Sequence, residues 1–556
     1  MSPIQQMLLG AGSAIDTKTY VDDVFSTYVY TGTGSAQTVN NSVDLAGSGG
    51  LVWLKGRSSG KDHKLTDTVR GVNSQLMSQD NSAQTTTTNL ITSFNNNGFT
   101  MGSNAEINQY GVTQASWTFR KAKGWFDIQE YNGNNETVFN LSHDLECKPC
   151  FIIIKKINSA DNWVVWIKGL ESGKSLRLNL YNSASSDSDR DIGHTVTSSY
   201  IRIPAGGDVN GNSQQKYICY LWGDGAESEG QIFGESGDKS LILTGTYSSN
   251  QNEQTINLGW EPSWILIKKT NGNRSWFLFD TMRGIVTGDK DEALYPNSNS
   301  AVNDEGDLDH IDVTPTGFII KSSSYNNQIN DSGGEYVYVA IRAATGSVTR
   351  PPSLGTDVFG IGTRSGSSSN ALSNVNVFTD FSIIKRYNNS GEYWATNARL
   401  MGKYSLQTNS SDAQLTGALP TSGGVWDHMA GHLVAASNGA TNSGSDIIDY
   451  GWKRHAGMDV VCYDGNSVSG TQISHSLNAV PQMIWIKRRD DTKDWTVGHH
   501  GANGGTNPWN YYLELNQTQV EASQEGIWNN TAPTSSHFTL GNWTQVNNSS
   551  GEYIAM

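Results

Sequence analysis

The chain is short of charge. Only 16% of its 556 residues are Asp, Glu, Lys or Arg, and the balance is acidic, with a formal charge of −15. Clustered Lys and Arg, the footprint of nucleic-acid binding, are therefore not expected, and an anionic membrane surface is disfavoured for the same reason. Cysteine is scarce and uneven: Cys147, Cys150, Cys219 and Cys462 are too few for a disulfide scaffold. No run of 18 apolar residues occurs, so no membrane-spanning helix is expected. The apolar patch near Met7–Leu9 has no basic region before it, which argues against a secretory signal peptide. Proline is also sparse, 12 residues against 59 glycines.

What the chain has instead is turn residues and aromatics. Aromatics reach 10%, too many for a disordered segment. Abundant Gly, Asn, Ser and Thr suit pleated sheets with one wet face. At roughly 100–200 residues per domain, three to five domains are expected.

One signature recurs along the whole chain. It reads GLVWLK at Gly50–Lys55, PCFIIIKK at Pro149–Lys156, PSWILIKK at Pro262–Lys269, DFSIIKR at Asp380–Arg386 and PQMIWIKR at Pro481–Arg488. The first lysines, Lys55, Lys155, Lys268, Lys385 and Lys487, recur at about 100–117 residues, the mark of a structural repeat. Other landmarks keep phase. A Trp follows the lysine at Trp163, Trp276, Trp394 and Trp495, and a Phe-centred strand comes later at NGFTMG, TGFIIK and HFTLGN. Each unit closes on an aromatic strand, from ASWTFRK to GEYIAM.

Within one unit the apolar segments are short and bounded by Gly, Asn and Ser turns. About seven strands in about 100 residues, with no helical period, predict an all-β fold of tandem β-sandwich domains of jelly-roll or immunoglobulin size. The expected divisions are a leader at 1–27, units at 28–123, 124–236 and 237–345, a linker at 346–362 stiffened by Pro351-Pro352, a divergent fourth unit at 363–457 and a fifth at 458–556. The fifth closing strand is about two residues shorter than its counterparts, so the unit is expected to be cut off.

The repeated Trp reads first as core packing and second as a sugar-stacking platform, since packing is needed in every unit and a ligand is not. The lysine after the core strand is expected to snorkel at the sheet edge.

Signatures of chemistry are thin, and no catalytic residue is assigned. HMAGH at His428–His432 lacks the glutamate of the zinc-protease helix. His499 and His500 are adjacent, so in a strand they would face opposite ways. Cys147 and Cys150 have redox spacing, but an inert buried thiol is the plainer reading. Paired carboxylates for glycoside cleavage leave no spacing signature. For metals, Asp187, Asp189 and Asp191 alternate as in the first half of a calcium loop, without the glutamate that completes one. NDEGDLDH at 303–310 is a second acidic loop. No cofactor is expected, with calcium the minor alternative.

The segment MSPIQQMLLGAGSAIDTKTYVDDVFSTYVYTGTG, with DTVRG at Asp67–Gly71, resembles the opening of large virion proteins of marine tailed phages, of the cyanophage type. SHSLNAVPQMIWIKRR, GEYVYVAIR, RPPSLGTDVF and ARLMGKYSLQTNSSDA are similar to the repeated domain of that group. The resemblance implies concanavalin- or laminin-G-like sandwiches and a structural role in a tail or tail fibre. It further implies location in the virion, and partners among other virion proteins, copies of the chain itself and host surface glycans. The alternatives are a carbohydrate-binding or polysaccharide-degrading module, and a capsid decoration or filament protein. Fold-level analogy alone establishes none of these.

Overall fold

The computed structural model describes residues 18–556 apart from 187–190, 194, 303–307, 323–327, 367–368, 389–393, 421–423, 437–445 and 456. Its strands pair antiparallel in five repeats of one plan. Each repeat has a main sheet in which the opening strand pairs with the closing strand, the closing strand with the core strand, and the core strand with a fourth. In unit 1 these are Phe25–Thr31, Thr113–Arg120, Gly50–Gly56 and Lys64–Asp67. The opening and closing strands are Phe126–Asn132 and Lys216–Gly223 in unit 2, Ile242–Ser248 and Glu335–Arg342 in unit 3, Phe359–Ser365 and Asp446–Trp452 in unit 4, and Val461–Asp464 and Glu552–Ala555 in unit 5. First and last strands are thus neighbours, which closes each repeat on itself.

A smaller sheet covers one face of each main sheet, so every repeat is a sandwich. In unit 1 it is Gln37–Asn40, Gly98–Met101 and Ile91–Asn95; in unit 2, Phe139–Ser142 with Tyr200–Ile203. Alternate residues of the core strand fill the space between. Val52 and Leu54 do so with Val39, Phe99 and Met101, and Ile152 and Ile154 do so with Leu141, Ile201 and Ile203.

The other face of the main sheet is not wet, contrary to the one-sided expectation. Leu51 and Trp53 of unit 1, Phe151 and Ile153 of unit 2, and Trp264 and Leu266 of unit 3 meet in one shared core. The closing strands add Trp117 and Phe119, Tyr220 and Trp222, and Val339 and Ile341 to it. Hence all eight residues of Pro149–Lys156 are buried. A strand covered on both faces reads as a continuous apolar run rather than an alternating one.

Units 4 and 5 pack against unit 3 through a further core that includes Phe279, Leu400, Met401, Val460 and Ile554. Ion pairs fasten this contact. Arg454 is bidentate to Glu261, at 2.7 and 2.9 Å, and Arg57 joins Glu292 to Asp427. Residues 18–27 of the segment read as a leader, and the segment read as a linker, are both built in. A turn of helix at Val21–Val24 precedes the first strand, which begins at Phe25. Asp22 accepts from the Thr349 hydroxyl at 2.6 Å and from the Arg350 amide at 2.9 Å. Among the described residues, no helix is long and apolar enough to cross a membrane.

Candidate functional site

The repeated lysine and tryptophan lie where one sandwich docks on another. Lys55, Lys155, Lys268 and Lys487 are each 0% exposed, which overturns the expectation that they snorkel at a sheet edge. They share the outward row of the core strand with the residues two before them, because side chains alternate along a strand. Burying an ammonium group demands acceptors, and the neighbouring unit supplies them as backbone carbonyls. Lys155 Nζ donates to the carbonyl of Asn81 in unit 1 at 3.2 Å, Lys268 to Tyr181 in unit 2 at 3.3 Å, Lys55 to Asn299 in unit 3 at 3.1 Å and Lys487 to Ser411 in unit 4 at 3.2 Å.

The ring eight residues after each of these lysines does the same, four residues earlier on the same loop. Trp163 Nε1 donates to the Met77 carbonyl at 2.9 Å, Trp276 to Arg177 at 2.8 Å and Trp495 to Gln407 at 2.8 Å. In unit 1 the position is His63, whose Nε2 lies 3.0 Å from the Tyr295 carbonyl. A backbone bond completes each junction: Gln84 to Ile157, Ala184 to Thr270, Val302 to Arg57 and Gln414 to Arg489, at 2.7–2.9 Å. These Trp residues are 0% exposed, so core packing describes them and a sugar platform does not.

The direction of docking is consistent. Unit 2 docks on unit 1, unit 3 on unit 2, and unit 1 on unit 3, so the first three sandwiches form a closed ring. Two further bonds follow the same sense: Tyr220 to Asp67 at 2.8 Å and Trp117 to Asp280 at 3.0 Å. Each of these carboxylates also holds its own arginine, Arg70 or Arg283, in the turns DTVRG and DTMRG. Unit 5 docks on unit 4 by the same bonds.

Burial sets the electrostatics of these junctions. It pulls the Lys155 and Lys487 ammonium groups down to about 8 and that of Lys268 to about 7.

The other sequence candidates fall elsewhere. Asp187 and Asp189 lie outside the described residues, and Asp191 is partly buried. Of the second acidic loop, residues 303–307 also lie outside. Asp309 is described; burial and the charge of Asp312 push its carboxyl up to about 8. Lys321 sits 2.8 Å from Asp312 and 2.9 Å from Glu253, so an ammonium group already answers these carboxylates. Among the described residues, no group of three or more His, Cys, Asp or Glu side chains is placed to hold a metal ion.

Cys147 and Cys150 are buried free thiols, and burial pushes Cys147 up to about 11. Cys150 Sγ lies 3.2 Å from the Gly223 carbonyl. The rings of His499 and His500 stand 4.7 Å apart rather than on opposite faces, because the strand ends at His499.

His432 belongs to a cluster that sequence spacing did not reveal. Its Nε2 is 3.2 Å from Ser382 Oγ and 3.5 Å from Asp449 Oδ2, and all three residues are at most 1% exposed. The residue types are those of a nucleophilic triad, but the geometry is not. Serine and carboxylate share one ring nitrogen, whereas a triad uses both, and burial pulls the imidazole down to about 3. This is a polar plug in the interior of unit 4, where the other units place Val52, Ile152, Ile265 or Ile484.

No curated protein and no solved structure matches the chain. A family model does, over residues 21–345 and 356–556, leaving between them only a stretch that contains Pro351 and Pro352. The chain therefore belongs to the family described as Domain of unknown function (DUF7483).

Proposed function

We propose that this protein is a structural component of a tailed-phage particle, placed in the tail or a tail fibre, where it stiffens the assembly and presents loops to the host cell surface. The observation that supports this reading most is the junction repeated four times between sandwiches. It uses the recurring landmarks of the repeat, lysine and tryptophan, to hold the sandwiches rigidly together. What differs between units is left in the exposed turns, where Tyr110 is 83% exposed and Val520 87%. Loops carried on a rigid scaffold are where recognition ordinarily resides. Many copies on one particle would add weak loop contacts through avidity.

The resemblance of the opening segment and of the repeat phrases to marine-phage virion proteins points the same way. The test is mass spectrometry of purified particles from a phage that encodes the chain, with antibody labelling to locate it. Labelling on the tail is expected. Recovery of the chain only from the lysate, never from particles, would contradict the proposal.

A further inference from the structure

Units 4 and 5 repeat the docking of the first ring, but two sandwiches occupy what units 1–3 fill with three. Each sandwich has two docking edges. One is the donor row of lysine and Trp; the other is the acceptor loop that receives a neighbour's donors. Units 1, 2 and 3 use both. Unit 5 uses its donor edge on unit 4, and unit 4 its acceptor loop, Gln407–Ser411. That leaves the ring of Trp394 in unit 4 and Leu515 beside the acceptor loop of unit 5 without a docked neighbour.

The exposures agree. Trp394 of unit 4 is 39% exposed, against 0% for Trp163, Trp276 and Trp495. Leu515 of unit 5 is 38% exposed, whereas Leu178 at the same place in unit 2 is 0%. Outward-row residues that are sealed in units 1–3 are partly open here: Ile383 and Trp452 in unit 4, Trp485 in unit 5, with Met483 at 49%. Between them lies an apolar groove of about 580 Å³. Large apolar surfaces of this kind mark a contact waiting for its partner.

We propose that this face receives one more β-sandwich of the same repeat, which completes a second ring of three. The incoming unit would set its buried lysine and Trp on the loop at Glu514–Thr518. Its own acceptor loop would take the ring of Trp394. A second copy of this chain does not meet the requirement. Its units 1–3 have no edge left, its unit 4 has only a donor row, and its unit 5 only an acceptor loop. The occupant needs both edges on one sandwich.

The test adds such a unit and reads the face by hydroxyl-radical footprinting. Two extended chains are made, one carrying a copy of residues 124–236 after Met556 and the other a copy of 237–345, so that the outcome does not hang on the folding of one copy. A control carries the first copy with Lys155→Glu and Trp163→Ser, substitutions at the docking edge and not in the sandwich interior. Labelling of Met483, Trp485 and Trp394 is expected to fall to the level of Trp276 in at least one extended chain. It should return in the control, while Tyr110, exposed in unit 1, stays labelled throughout. Labelling that persists in both extended chains would overturn the proposal. So would a 556-residue chain that already protects these residues by pairing with itself, shown by a sedimentation coefficient that Trp485→Glu lowers.

Discussion

A buried lysine is tolerated only when its proton and its neighbours are arranged around the loss of water. In Lys155 the ammonium group donates to the carbonyls of Lys156 and Asn81, at 2.8 and 3.2 Å, and burial pulls it down to about 8. An unfolded lysine titrates near 10.4. The unfolded chain therefore holds more protons between the two values, and stability from this group rises as pH rises through that window. It is lost as pH falls through that window and is gone below about 8. Lys155→Met removes the titration. In urea unfolding at pH 7, 8.5 and 10, the native chain should gain on the variant at each step; parallel curves would refute the assignment.

Tryptophan gives a companion test at the same scale. Trp163→Ala empties a sealed position and strips donors from two carbonyls, so a loss of about 3–5 kcal/mol is expected. Trp394→Ala, at the open donor row, should lose less than about half of that, since much of the ring is already in water. Equal losses in denaturant titrations would contradict the difference between the two junctions. The sequence marked both residue types and their spacing. It did not place the lysines, because alternation puts them on the outward row but does not say that another sheet covers that row.

At the scale of elements, the core strand is the decisive piece. PCFIIIKK is apolar throughout because it serves two cores at once, that of its own sandwich and that of the ring. The run and its period were legible as a strand; the second face was not, since a continuous apolar run fits any strand buried on both sides. Unit 4 departs from the pattern with Ser382 in the interior row, which explains in physical terms why its sequence diverges most. A serine there calls for polar partners: His432 and Asn397 reach its hydroxyl, and Asp449 lies 3.5 Å from His432 in turn. The alternation of Asp187, Asp189 and Asp191 fits the first half of a calcium loop and a solvated turn alike, and Asp187 and Asp189 lie outside the described residues.

The linker gives the prediction for this scale. Gly346 has φ +55°, and a side-chain carbon there would meet the Ser476 carbonyl oxygen at 1.6 Å. Gly346→Ala therefore both strains the backbone and pushes the linker off unit 5. A loss of about 1–3 kcal/mol is expected, together with faster proteolysis near Arg350. A variant as resistant as the native chain would show that the linker is held elsewhere.

For the whole molecule, the junctions change the meaning of a tandem repeat. Sandwiches on a string unfold one by one, with each core independent. Here the first three share a core, and each is both donor and acceptor to its neighbours, so none can leave without opening two junctions. A body of this kind is stiff without disulfides, consistent with four free buried thiols. It is the property that a rigid component of a particle requires, and it links the repeat to the proposed role.

Native-state hydrogen exchange tests this ring most directly. The amides of Gly50–Gly56, Pro149–Lys156 and Pro262–Lys269 are compared for the free energy of opening. One common value for the three strands is predicted, falling together in Trp163→Ala although that residue lies in unit 2 alone. Three separate values, with the substitution lowering only the strand of unit 2, would mean independent sandwiches and would contradict the account.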